Sequence, residues 1–248
     1  MKMYHSRISS PHQIKALPEK HAVCLTFGEA TRGTCEVARE RLRAGGSVML
    51  DNGAFSAFKR GESMTREVAD KVLNWYDTFV GIGPDLICVA PDVIGNATAT
   101  VRLQTDLSAR LRDLASKVRL IVPVQGFDIP LAAAGWKSAT DLIGTSIIAG
   151  VPSSRVAWSD DQVRQFVHLT GCSRMHFLGG SSKTRRNLAA ELGLDASADS
   201  GFASISSANT KGCMENLPRF CALAERRVAG AGAHFFVKHG QTRWPWAF

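Results

Sequence analysis

Asp51, Asp92, Gln125 and Asp199 stand at or just beyond the ends of strand-like runs, and Gly150, Gly179 and Gly180 close two further runs. Brought to one rim, two or three carboxylates with an amide and open backbone N–H groups suit attack on an anomeric carbon. One carboxylate serves as nucleophile and another as general acid or base, as in retaining glycoside chemistry. The amide and backbone groups can read the edge of a heterocycle. The sharpest single segment is Ser47 to Phe55, where Val48-Met49-Leu50 runs into Asp51 and then Asn52-Gly53, a pair that tolerates positive φ and reverses the chain.

The elements that must position these residues alternate. Strands are expected at His21–Phe27, Ser47–Asp51, Leu86–Asp92, Leu120–Gln125, Ser146–Gly150, Met175–Leu178, Leu194–Asp199 and Ala233–Lys238. Between them the pattern predicts helices. One is capped by Thr34 and stops at Gly45-Gly46; a second is capped by Thr65, with Val68, Val72, Trp75, Tyr76 and Phe79 at helical spacing. A long helix is expected from about Thr98 to Ser116, a shorter helical or irregular segment over Ile129–Leu142, and a helix opened by the Ser159/Gln162 capping box. Further helices are expected after Gly180 and from about Gly212 to Val228, while residues 1 to 20 and the segment Ala54 to Ser63 read as irregular. Eight strand and helix alternations favour a single (β/α)8 barrel over an open sheet, with ligands at the C-terminal ends of the strands.

Size agrees, since 248 residues fill one such barrel, and 45% hydrophobic with 21% charged residues is ordinary for a globular domain. No apolar run reaches the length of a membrane helix, and the N-terminus lacks a signal-peptide pattern, so a cytoplasmic protein is expected. A net charge of +8 admits a polyanionic partner or simply a basic surface. The six cysteines form no C-x-C or C-x-x-C pair, which argues against a structural zinc site. Dinucleotide fingerprints, G-x-x-x-x-G-K loops and H-E-x-x-H helices are also missing from the sequence.

The order of Asp51-Asn52-Gly53-Ala54-Phe55, Pro91-Asp92, Val124-Gln125-Gly126, the strand ending at Gly150, His176-Phe177-Leu178-Gly179-Gly180 and Asp199 resembles the tRNA-guanine transglycosylase superfamily over roughly residues 47 to 200. Those enzymes are TIM barrels. The resemblance implies that Asp199 attacks C1′ of a guanosine nucleotide and holds the nucleic acid covalently, with Asp51 as general acid/base. Asp92 and Gln125 would bond the guanine or 7-deazaguanine edge, a backbone N–H near Gly150 its carbonyl, and Phe55 would bound the base pocket. No cofactor or metal is implied. Where the tRNA enzymes carry a zinc subdomain and P-T-R after the nucleophile, this chain has Ser200-Gly201-Phe202-Ala203-Ser204 and no cysteine cluster. It is therefore more similar to the zinc-free proteins of bacteriophages and bacteria that insert 7-deazaguanine derivatives into DNA. Exchange on DNA, with a free 7-deazaguanine base such as preQ0 as co-substrate, is the expectation, with the base flipped or single-stranded. The alternatives are exchange on tRNA, a hydrolytic nucleosidase and a non-catalytic nucleic-acid-binding barrel; a homo-oligomer or an accessory subunit stays open.

Each residue also has a plainer reading. Asp51 can be a turn aspartate bonding its own backbone, Asp92 a cap, and Asp199 part of a polar loop in which Asp195 competes with it. His176, mid-strand, reads as a satisfied core histidine. Lys183, Arg185 and Arg186 follow Gly179-Gly180 at a helix start, where phosphate binds, or form a solvated face. Lys59, Arg60, Arg155, Lys211 and Lys238 are candidates for tracking a nucleic-acid backbone, and Arg243-Trp244-Pro245-Trp246 for stacking on bases or packing as a tail.

Overall fold

A computed structural model describes residues 1–200 apart from 7, 9, 19–20, 153–157 and 180–182. Eight parallel strands close a barrel in sequence order: β1 (Lys2–His5), β2 (Ala22–Thr26), β3 (Val48–Asp51), β4 (Leu86–Val89), β5 (Arg119–Pro123), β6 (Ile148–Pro152), β7 (Arg174–Leu178) and β8 (Asp195–Ser200). The described helices are α1 (Pro11–Ala16), α2 (Arg32–Arg43), α3 (Ala54–Lys59), α4 (Arg66–Asp77), α5 (Ala97–Asp106), α6 (Ser108–Lys117), α7 (Ile129–Ile143), α8 (Asp160–Thr170) and α9 (Lys183–Glu191). The expected (β/α)8 barrel is the architecture found.

Closure differs from the expectation in one respect. The N-terminal segment, expected to be irregular, contributes β1 and α1. β1 pairs with both β2 and β8, with Tyr4 opposite Ala22 on one side and Asp199 on the other. The strand expected seventh is therefore the eighth, and the barrel closes without Ala233–Lys238, which lies outside the described residues. Four residues with a lysine and a histidine among them carry too little apolar signal to be read as a strand. What holds them is Tyr4, fully buried in the barrel interior, and Lys2, which joins Ser47 and Arg119 around Asp85 at the N-terminal end of the barrel.

Side chains divide by the two-residue period of the strands. Tyr4, Ala22, Cys24, Met49, Ile87, Val89, Ile121 and Ile148 fill the barrel interior. Their neighbours, among them Val23, Leu25, Val48, Leu50, Cys88, Leu120, Val122 and Ala149, pack outward under the helices. β8 follows the same rule despite its polarity. Ala196 and Ala198 are buried beneath the helix layer, which turns Ser197 and Asp199 inward.

Helix ends follow local chemistry. Ser159 and Gln162 form the expected reciprocal capping box on α8, and Thr65 caps α4. On α2 the cap is Thr31 rather than Thr34; Thr34 stands three residues on and returns the bond through its own hydroxyl. The helix expected as one piece over 98–116 is broken at Leu107, whose side chain is buried at the junction. Residues 129–143 form a full 15-residue helix capped by Asp128. Among the described residues no helix is long and apolar enough to cross a membrane.

Candidate active site

Asp51 is the last residue of β3. Its carboxylate accepts the Gly53 N–H, so the turn-aspartate reading holds as far as that bond goes. Gly53 takes φ +74°, and a Cβ there would lie 2.6 Å from the Phe27 carbonyl oxygen, so glycine alone permits α3 to start so close to the strand end. The electrostatic setting goes beyond a turn. Burial, followed by the charges of Asp199 and Asp92, pushes the Asp51 carboxyl up to about 7, against the opposing bond from Gly53.

Asp92 follows β4 and is almost fully buried. It is not a helix cap. Asn52 Nδ2 donates to its Oδ1 at 2.7 Å and Gln125 Nε2 to its Oδ2 at 2.6 Å, so the ends of β3, β4 and β5 meet on one carboxylate. Burial raises the Asp92 carboxyl to about 6, and these two donors hold it from rising further. Asn52 also donates to the Ala90 carbonyl oxygen at 2.7 Å and accepts from Ala54 N at 2.7 Å; Gln125 Oε1 accepts from Gly95 N at 3.1 Å. Sequence reasoning treated Asn52 as a turn former and missed this strut. Its signal was weak, because Asn-Gly is what any reversal uses.

Asp199, on β8, is anchored through one oxygen. Gly179 N donates to Oδ1 at 2.8 Å, and His176 Nε2 lies 3.2 Å from the same atom. The other ring nitrogen of His176 is 2.8 Å from Ser197 Oγ. His176 is completely buried, as a core histidine should be, yet one of its partners is the candidate nucleophile. Register explains why: Gly150, His176 and Ser197 lie side by side across β6, β7 and β8. Asp195, the competing aspartate, opens the same strand at its other end and is exposed.

Gly150 has a packing reason to be glycine. A Cβ would lie 2.7 Å from Ile121 Cγ2 and 3.2 Å from Pro123 Cα, and its carbonyl is taken by Val124 N. Phe55 is 48% exposed on α3, with Lys59 Nζ 4.4 Å above its ring, an arrangement that faces solvent at the catalytic end. Phe127, just past Gln125, is 62% exposed and was not anticipated. The narrow cleft between α5 and α7, lined by Thr100, Gln104, Gly135 and Trp136, shares Gln125 with the site.

The expected cationic face needs correcting at Arg185. That side chain is buried at 3% exposure, hydrogen-bonded to the Trp158 carbonyl, 2.9 Å from Asp160 and stacked on Phe177, so it ties α9 to the barrel rather than meeting a phosphate. Arg186 is half-buried, and Arg60 is paired with Glu62 at 2.7 Å on the surface. Lys183 opens α9. Gly180, Arg155, Lys211, Lys238 and the terminal Trp-Pro-Trp stretch lie outside the described residues.

The C-terminal rim thus brings together Asp51, Asp92, Gln125, Gly179 and Asp199 from five different strand ends, joined by Asn52 and His176. Chemically it offers, in Asp51, a carboxyl able to hold or release a proton near neutral pH, with the raised Asp92 carboxyl and an Asp199 anchored through one oxygen beside it.

No family model matches the sequence, and no curated protein does. Among solved structures, the mannotriose complex of a β-mannanase from Thermomonospora fusca superposes with a TM-score of 0.58 at 13% identity, covering 79% of this chain and 76% of that one. An N-acetylneuraminate lyase from Mycoplasma synoviae gives 0.51 at 10% identity, covering 92% and 82%. At such identities the likeness is one of fold, the (β/α)8 barrel.

Proposed function

We propose that this protein is an enzyme that exchanges guanine in a polynucleotide, DNA by preference, for a 7-deazaguanine base through a covalent aspartyl intermediate. The observation that carries the reading is the pairing at one rim of Asp51, raised to about 7 by burial and by Asp199, with an Asp199 whose orientation is fixed. An acid that keeps its proton near neutral pH beside a positioned carboxylate is what a two-step displacement at an anomeric carbon requires.

In the first half, a carboxylate oxygen of Asp199 bonds to C1′ as the bond from C1′ to the guanine nitrogen breaks, and the departing base takes the Asp51 proton. In the second half, the incoming deazaguanine gives its ring N–H proton to Asp51, and its nitrogen displaces Asp199 from C1′. Asp92, with a carboxylate lone pair left on each oxygen, accepts from the purine N–H edge, while Asn52 and Gln125 hold it in place. DNA is preferred over tRNA because the chain lacks the cysteine cluster of the tRNA enzymes it resembles.

The test is to incubate the protein with guanine-containing DNA, or with tRNA, and labelled 7-deazaguanines, then digest to nucleosides and measure incorporation by mass spectrometry. Incorporation into DNA that vanishes in Asp199→Ala and Asp51→Asn is expected. Undiminished incorporation by Asp199→Ala would overturn the assignment of the nucleophile, and release of guanine without incorporation would make the enzyme a hydrolase.

A further inference from the structure

Asp199 receives both of its described donors on a single oxygen: Gly179 N at 2.8 Å and His176 Nε2 at 3.2 Å both meet Oδ1. The ring behind it has no freedom to swing, because His176 is fully buried, lies 6.1 Å from the Tyr4 ring, and is met at its far nitrogen by Ser197 Oγ at 2.8 Å. The tautomer follows from the acceptor it faces. A carboxylate oxygen accepts and cannot donate, so in the neutral ring Nε2 must carry the hydrogen and Nδ1 the lone pair. Nδ1 can then accept only if Ser197 donates its hydroxyl hydrogen. The chain of bonds thus runs one way, from Ser197 through His176 to Asp199.

Building on the base-exchange reading, we infer that His176 and Ser197 form a positioning relay that pins Asp199 by Oδ1 and leaves Oδ2 as the oxygen that attacks C1′. His176 touches neither substrate nor leaving group. Its task is to hold the carboxylate plane while charge on Asp199 is lost to the new C–O bond and then regained. The Gly179 N–H, in a turn held at φ +87°, completes the clamp from the end of β7. Ser197 acts at one remove: Asp199 sets the tautomer, and the Ser197 hydroxyl, 2.8 Å from Nδ1, holds the far side of the ring so that Nε2 stays on Oδ1.

Two measurements test this, and one of them needs no substrate. In 15N spectra of histidine-labelled protein, the resonances absent from His176→Gln identify this ring among the seven histidines. They should report a ring that carries its hydrogen on Nε2 and accepts at Nδ1, and the Nδ1 resonance should shift in Ser197→Ala, where that bond is lost, while Nε2 stays protonated. A ring protonated on Nδ1 in the wild type would overturn the relay. In the exchange assay, His176→Phe should lower kcat about 10- to 100-fold with KM for DNA little changed, because misplacing a reacting group costs turnover rather than binding. His176→Gln, whose amide can donate at the position of Nε2, should recover most of that loss. Adding Ser197→Ala to His176→Phe should lower kcat no further. A wild-type kcat in His176→Phe, or an additive loss in the double variant, would overturn the relay. Should His176→Phe fail to fold, His176→Gln and Ser197→Ala carry the comparison. If the wild type exchanges no base at all, the functional reading falls while the tautomer measurement still decides the relay.

Discussion

Tyr4 and Asp199 are register partners across the β1–β8 seam. The strand nearest the N-terminus therefore closes the barrel directly beside the candidate nucleophile, and it does so with a fully buried aromatic ring that also abuts His176. Removing that ring should open a hole under the site. Tyr4→Ala is expected to cost about 3 to 5 kcal/mol in urea unfolding, the usual range for a large core side chain. Tyr4→Phe, which gives up only the phenol oxygen facing Arg119, should cost about 1 kcal/mol. Equal losses for the two would mean that the hydroxyl, not the ring, holds the seam.

Asp51 makes stability fall as pH rises. Its carboxyl moves from 3.8 to about 7 on folding, so between those values the folded chain holds a proton that the unfolded chain has lost. The folded state binds more protons, and the slope of unfolding free energy against pH is negative there. Asp51→Asn should therefore gain on the wild type as pH rises from about 4 to about 7, by at most roughly 4 kcal/mol at the upper end. Denaturant melts at both pH values would check this; a constant difference across the window would show that Asp51 titrates normally.

The same proton bears on turnover. If Asp51 delivers it to the leaving base, exchange should weaken above about pH 7, as the acid form is depleted. Single-turnover rates from pH 5 to 9 would reveal the limb, and Asp51→Asn should abolish it together with the activity.

Asn52→Ala deletes the amide that bonds both Asp92 and the Ala90 carbonyl. With these groups left short of partners, a loss of about 2 to 4 kcal/mol is expected. The Asp92 carboxyl, stripped of one of the two donors that hold it down, should titrate higher than in the wild type. A carboxyl-resolved NMR titration measures that directly, and an unmoved Asp92 would mean that Gln125 alone sets it.

Lys59 and Arg185 should separate cleanly. Lys59, exposed and resting on Phe55, can pair with a phosphate, so Lys59→Ala should reduce the salt dependence of DNA binding by about one unit of slope. Arg185→Ala should leave that slope unchanged and lower stability by about 1 to 3 kcal/mol, because its guanidinium serves Trp158 and Asp160 inside the protein. Fluorescence anisotropy at several salt concentrations, paired with thermal melts, distinguishes the two effects.

What the amino-acid sequence determined by itself was whatever depends on short-range pattern. Apolar runs closed by Asp51, Asp92 and Gln125 announced strands with polar residues at their C-terminal ends, and the helical spacing from Val68 to Phe79 announced α4, because burial of one face imposes a period that neighbours in sequence must obey. Tertiary structure decided the rest. β1 is a strand because β2 and β8 satisfy its backbone, not because Lys-Met-Tyr-His favours one. His176 is bonded to Asp199 rather than to an arbitrary core acceptor because the β7–β8 register sets it beside Ser197, two residues short of that aspartate. Arg185 is internal because the first residue of α8, Trp158 just ahead of that helix and β7 present it with a carboxylate, a carbonyl and a ring. Hydrogen bonds and charge pairing act over a few ångströms in space between residues tens of positions apart in the chain, and a linear pattern carries no measure of that distance.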